Sequence, residues 1–171
     1  MSLAELICAA IISIGMPRAE YACGHMEQVV QVSEREDIRP EVLVALIHVE
    51  SRWNPRAVSH ANACGLTQVI PKWTGGRASR RVRYTCEELM EPTVSIDAGA
   101  TIFNYWLHSY GRCRTGRCRT THYRVGLCGY NAGFRCRGER VNPSGANYAR
   151  VVLRKAGQIR RAMERIQRAG E

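Results

Sequence analysis

The stretch Pro40–Gln68, PEVLVALIHVESRWNPRAVSHANACGLTQ, decides how the rest of the chain is read. Its first half predicts a short amphipathic helix: Pro40 suits the first helical position, and Val42, Leu43, Leu46, Ile47 and Val49 recur at three- and four-residue intervals. Glu50 falls on that stripe, three residues after Ile47 and four after Leu46, so its carboxyl leaves the helix on the side that faces the interior. Asn54-Pro55 is expected to end the helix. A carboxylate beside apolar neighbours loses hydration, and the negative end of the helix dipole also disfavours its charge. Both effects raise its pKa, which is what a general acid needs. Spacing alone also permits a helix-end glutamate turned toward solvent.

The residues that follow, and others downstream, carry a resemblance. Glu50-Ser51 is followed by Asn54-Pro55, then Ala57-Val58-Ser59, then Gly65-Leu66-Thr67-Gln68 and Pro71. Pro92, Ile96 and Gly99 fall in a later helix, Gly129-Tyr130-Asn131-Ala132-Gly133 after that, and Asn147-Tyr148 near the end. In this order the pieces resemble the soluble lytic transglycosylases, enzymes of lysozyme-like fold that cleave bacterial peptidoglycan. The resemblance spans about residues 32–153. It departs from the family pattern at Thr67, where Met is usual and contributes to the sugar groove, at Ser95, where Asn is usual, and at Asn62, where Gly is frequent. Asn is the residue after Gly best able to adopt a left-handed backbone, so Asn62 is expected to do so.

A chain of 171 residues with no second composition regime predicts one domain, residues 1–171. The resemblance makes that domain mainly α, a lysozyme-like body of packed helices around a sugar-binding groove. Residues 1–22 read as an N-terminal apolar helix carrying Cys8, or as an imperfect signal segment: the run 3–15 is too short to span a bilayer, lacks Lys or Arg before it, and is followed by a poor cleavage site. Further helices are expected from Cys23 to Glu36, Pro92 to Tyr110 with Gly111 as its stop, near Tyr123 to Gly133, and Tyr148 to Ala169. Trp73–Tyr84 and Arg112–Arg124 read as basic loops.

Net charge is +10, with arginines clustered in those two loops, which suits an anionic partner such as nucleic acid, acidic lipid, teichoic acid or peptidoglycan stem carboxylates. Eight cysteines, an even number, suit disulfides and an oxidising compartment. Cys113 and Cys118 bracket a short loop and can close on each other, while Cys128 and Cys136 flank the Tyr-Asn motif. Zinc is the competing reading. Cys113-x4-Cys118 followed by Cys128-x7-Cys136 is poor ligand spacing, with no Cys-x2-Cys pair, so no metal and no other cofactor is expected.

A glycosidase normally sets two carboxylates across the scissile bond, and only Glu50 stands out here. Asp97 reads as a cap or first-turn acid, and Asp37, Glu87, Glu88 and Glu91 lie in polar connections. One carboxylate fits substrate assistance, with the N-acetyl group of N-acetylmuramic acid supporting the oxocarbenium-like carbon. The resemblance implies closure of the sugar on its own 6-hydroxyl, giving a 1,6-anhydro product. It makes Glu50 and Tyr130 catalytic, with Tyr130 hydrogen-bonded to Glu50. It places Ser59 and Gln68 on the N-acetyl and sugar groups, Asn131 and Tyr148 along the groove, and Ser51 at the substrate or in the turn. His48 points off the stripe toward the surface; Trp53 is either core or a sugar platform.

The resulting expectation is a lytic transglycosylase whose partner is the peptidoglycan glycan strand. A goose-type muramidase hydrolase is the alternative on the same fold. A structural or nucleic-acid-binding protein is the alternative from another class, weakened by the lack of a recognised nucleic-acid fold. The setting is the periplasm or cell envelope, reached either by carriage in a phage virion among its other subunits or by export beside a secretion apparatus, with no membrane span.

Overall fold

Ser2 and Glu5 open the first helix by exchanging bonds: the Ser2 hydroxyl accepts from the Glu5 amide, and Glu5 accepts from the Ser2 amide at 2.6 Å. The acid that breaks the apolar run of the sequence is thus half of a capping box. The computed structural model describes residues 1–114, 116–136 and 142–170. Along them run α1 (Leu3–Ser13), α2 (Ala19–Cys23), α3 (Met26–Arg35), α4 (Pro40–Ser51), α5 (Cys86–Met90), α6 (Pro92–Tyr105), α7 (Thr120–Ala132) and α8 (Pro143–Ala169). Single 3-10 turns lie at Pro71–Trp73, Arg77–Ser79 and Gly133–Cys136, and a π turn at Trp106–Tyr110 prolongs α6. There is no β-strand among the described residues, only isolated bridges pairing Val58 with Cys64 and Cys64 with Val69. Among the described residues no helix is long and apolar enough to cross a membrane.

The structure corrects the expectation of an amphipathic α4. Val42, Leu43, Val44, Ala45, Leu46 and Ile47 are all at most 2% exposed, so the middle of the helix is buried on every side. An unbroken apolar run satisfies a helical stripe and a buried cylinder equally, and here the second applies. α3 packs on one flank and α8 along another, while α8 also covers α1 and α7. Ile7 and Ile11, Phe103, Leu127, Val152 and Ile159 close one continuous core around α4. The N-terminal segment is part of this core, and Cys8–Cys23 ties α1 to α2.

α4 stops earlier than Asn54-Pro55 predicts. Arg52 and Trp53 both take left-handed backbone, with φ of 50° and 62°, and Arg52 forms the C-cap. Trp53 is fully buried, which settles it as a core residue. Gly65 has φ +76°, and a Cβ there would lie 1.7 Å from the Leu89 carbonyl oxygen, so only glycine fits. Asn62 takes its left-handed conformation, φ 59°. The helix expected over Cys23–Glu36 is α3, and the short α2, which ends at Cys23, precedes it. α8 begins at Pro143 with Asn142 as its N-cap, ahead of the expected Tyr148. Asp97 is not a cap, since Glu91 holds that position; its carboxylate pairs with Arg35 at 2.7 Å. His48 is half-buried, with its Nδ1 turned inward and without a hydrogen-bond partner among the described residues.

All eight cysteines are paired, as Cys8–Cys23, Cys64–Cys86, Cys113–Cys118 and Cys128–Cys136. Buried Glu36 is neutralised by Arg35 and Arg80, so one arginine of the first basic loop is spent on the interior.

Candidate active site

Glu50 sits in the last turn of α4, where the helix runs out of the core. Its Oε1 accepts a 2.6 Å hydrogen bond from the Tyr148 hydroxyl, which comes from the first turns of α8. Burial pushes the Glu50 carboxyl up to about 7, against the opposing pull of the Tyr148 hydroxyl. Near neutral pH the group therefore divides between acid and carboxylate, as a residue that must give a proton and take one back requires. The hydroxyls of Tyr130 and Tyr148 are held well above their usual range by burial and by the nearby Glu50 charge, so both stay protonated donors.

The tyrosine expected on Glu50 is the other one. Tyr130, on α7, donates instead to the Thr67 carbonyl at 2.8 Å, while its ring meets Phe103 edge-on. It thereby ties α7 to the Gly65–Gln68 turn beside the carboxylate. The two hydroxyls arrive from neighbouring helices, and only the packing of α7 on α8 decides which one reaches Glu50.

The remaining expected residues divide by what their polar atoms already do. Ser59 accepts from the amides of Ala61 and Ala63, which uses its lone pairs and leaves its O–H as a donor. Gln68 donates both amide hydrogens, to the carbonyls of Ala57 and Gly65, so it can meet a ligand only through its oxygen. Ser51 turns back on its own helix, donating to the Ile47 carbonyl at 3.2 Å. Asn131 is exposed on α7 next to Tyr130. Thr67 does not line a groove: it is fully buried, with Oγ1 donating to the Ser95 carbonyl at 2.7 Å. Gly99 makes room for it, since a Cβ there would come within 2.4 Å of the Thr67 Cβ.

Several other carboxylates are engaged elsewhere. Glu36 and Asp97 pair with arginines, Glu88 caps α5, and Asp37 accepts from the Gly116 amide. Among the described residues, the groups able to hold a metal converge at Asp37, His108, Cys113 and Cys118, a set that does not include Glu50. Sequence reading missed the direct Tyr148–Glu50 contact. The partners stand 98 residues apart, and no local spacing joins them.

The family model of the transglycosylase SLT domain matches residues 28–151, from α3 through the start of α8. The chain belongs to the transglycosylase SLT family. Within that family it is 34% identical over 79 residues to membrane-bound lytic murein transglycosylase C of Actinobacillus pleuropneumoniae, covering 44% of this chain and 22% of that one. The same-named protein of Glaesserella parasuis is 37% identical over 79 residues, with the same coverage. The SLT chain therefore spans about a fifth of the length of these curated relatives. Among solved structures, an inactive mutant of the lytic transglycosylase Slt from Pseudomonas aeruginosa aligns over 94% of this chain and 30% of its own, with TM-score 0.67 and 19% identity. The soluble lytic transglycosylase SLT70 of Escherichia coli aligns over 74% of this chain and 22% of its own, with TM-score 0.57 and 21% identity. Both share the lysozyme-like helical fold described above.

Proposed function

We propose that this chain is a lytic transglycosylase that cleaves the β-1,4 bond between N-acetylmuramic acid and N-acetylglucosamine in peptidoglycan and leaves a 1,6-anhydro end. The observation that carries the reading is Glu50, a carboxyl raised to about 7 and hydrogen-bonded by Tyr148. Protonated Glu50 gives its proton to the glycosidic oxygen as the bond from C1 breaks, and the sugar's N-acetyl oxygen supports C1. The Glu50 carboxylate then takes the proton of the 6-hydroxyl while that oxygen bonds C1. No water is consumed, and Glu50 ends as it began. Tyr148 holds the carboxyl in place, Tyr130 fixes the adjoining turn through Thr67, and Ser59 and Gln68 offer one donor and one acceptor toward the sugar. The relatives' names speak of murein, which fits this substrate. Four disulfides suit action in the cell envelope. Delivery there by a phage particle is the finer reading, checked by searching purified virions for this polypeptide.

Digestion of purified peptidoglycan by the wild type and by Glu50→Gln, followed by mass spectrometry of the soluble fragments, tests the proposal. Anhydro fragments from the wild type and none from the variant support it. Fragments heavier by one water would make the chain a hydrolase, and a folded, oxidised wild type that releases nothing would end the enzymatic reading.

A further inference from the structure

On the far side of the α3–α4 turn from Glu50's helix end, four potential ligands come together from three parts of the chain. Asp37 leaves that turn, His108 comes from the π turn after α6, and Cys113 and Cys118 bound the loop leading to α7. One ligand atom of each lies within 4.8 Å of all the others. Asp37, His108 and Cys113 line an open cleft of about 600 Å³ together with Arg35 and Arg114.

His108 is set up as a ligand. Its Nδ1 is 3.0 Å from the Cys113 carbonyl oxygen, which can only accept, so in the neutral ring Nδ1 carries the proton and Nε2 offers its lone pair. Nε2 is buried, has no hydrogen-bond partner among the described residues, and stands 3.7 Å from Asp37 Oδ2. In that tautomer the two lone-pair-bearing atoms stand a few tenths of an ångström beyond the separation of a nitrogen and an oxygen ligand on one tetrahedral ion, about 3.3–3.5 Å from zinc's bond lengths. Orientation of a ligating imidazole by a bond from its other nitrogen to a carbonyl is the usual arrangement at zinc. Asp37 is likewise oriented, by the Gly116 amide at 2.9 Å. Gly116 lies inside the Cys113–Cys118 loop, with φ +71°, and the four-residue spacing of these cysteines falls within the range of zinc-binding pairs. The sequence reading weighed Cys113 and Cys118 only beside Cys128 and Cys136; the fold brings Asp37 and His108 to them instead.

We propose that the Cys113–Cys118 disulfide, when reduced, becomes one half of a zinc site completed by His108 Nε2 and an Asp37 carboxylate oxygen. A dithiol reductant supplies two electrons and two protons to the disulfide and is left as its own disulfide. Each thiol then loses its proton as its sulfur bonds the ion. Two thiolates and one carboxylate around a divalent ion leave a net single negative charge, which Arg114 at the cleft rim complements. Zinc suits the donor set of two sulfurs, one nitrogen and one oxygen better than the harder divalent ions do. The same loop is then held in a reducing compartment by the ion and in an oxidising one by the disulfide, so its anchorage survives the passage between them.

The test is titration of the full-length chain with Co²⁺ under dithiothreitol, beside a Cys113→Ser/Cys118→Ser variant that keeps the other six cysteines. The wild type is expected to bind one more Co²⁺ than the double variant, with the sulfur charge-transfer band and the intense visible absorption of a tetrahedral ion. Zn²⁺ should displace it one for one. His108→Ala and Asp37→Asn should each weaken the extra Co²⁺ at least tenfold, and the folding of each is checked by circular dichroism in the oxidised state, so that one usable variant is enough. Equal Co²⁺ in the wild type and the double variant, the weak absorption of an octahedral ion, or wild-type affinity in either folded ligand variant would overturn the proposal.

Discussion

The Tyr148 hydroxyl is 2.6 Å from Glu50 Oε1, so a residue on α8 holds the carboxyl that α4 carries out of the core. Replacing Tyr148 by Phe removes a hydrogen bond to a charged group, worth about 1.5–3 kcal/mol. That bond pulls the Glu50 pKa down against burial, so in Tyr148→Phe it should rise above about 7. Turnover is expected to fall by roughly tenfold or more, and the alkaline limb of the rate profile to move to higher pH. A pH series of peptidoglycan solubilisation reads both.

Glu50 also leaves a signature in stability. Its pKa is raised from 4.5 in the unfolded chain to about 7 in the folded one, so folding favours the protonated form. The stability gained by holding that proton is complete below about pH 4.5 and is lost as pH rises through about 7. Glu50→Gln has no proton to lose. Relative to that variant the wild type should weaken by up to roughly 3 kcal/mol across the same window, measured by urea unfolding at several pH values.

Gly65→Ala should be among the most damaging single changes. The residue has φ +76° and backbone 1.7 Å from where a Cβ would sit, with no flexible side chain to yield. A loss of about 3 kcal/mol or more is expected in thermal or urea unfolding, together with loss of activity as the Gly65–Gln68 turn leaves Glu50's side.

How much of this was legible follows from the reach of each signal. The helix ends at Pro40 and Pro92 and the Glu50 position are local patterns, and the structure keeps them. Asn142-Pro143 was also a readable start for α8, but the pattern of Val151, Val152 and Ile159 drew attention further along. The even burial of α4 was not readable, because Val42 to Ile47 is an unbroken apolar run without a period. Cys113–Cys118 was visible from its short loop, whereas Cys64–Cys86 closes 22 residues and nothing in the sequence between them marks it. Which tyrosine touches Glu50 depends on helix packing across the core, and spacing carries no information about that.

Thr67 and Ser95, two positions where the chain departs from its family's usual residues, are partners. Thr67 donates its amide to Ser95 Oγ and its hydroxyl to the Ser95 carbonyl. Restoring the family residue alone, Thr67→Met, should therefore cost stability, about 1–3 kcal/mol, by overfilling the space against Gly99 and removing the hydroxyl's bond to the Ser95 carbonyl. Thermal unfolding of the variant checks the sign.

Cys64–Cys86 fastens the turn that carries Gln68 to α5. In the chain-entropy account a loop of this length is worth about 3 kcal/mol. Cys64→Ser/Cys86→Ser should lose about that amount in urea unfolding and bind glycan strands more weakly, since Gln68 and Ser59 lie on the loosened segment.

The four disulfides join the first cysteine to the second, the third to the fourth, the fifth to the sixth and the seventh to the eighth. No bridge encloses or crosses another. A polypeptide threaded N-terminus first into an oxidising space presents its thiols in that same succession, so an oxidase that simply links each newcomer to the thiol waiting before it writes the native pattern. Proofreading by an isomerase has nothing to correct, and the order of emergence alone is a sufficient template for the covalent frame.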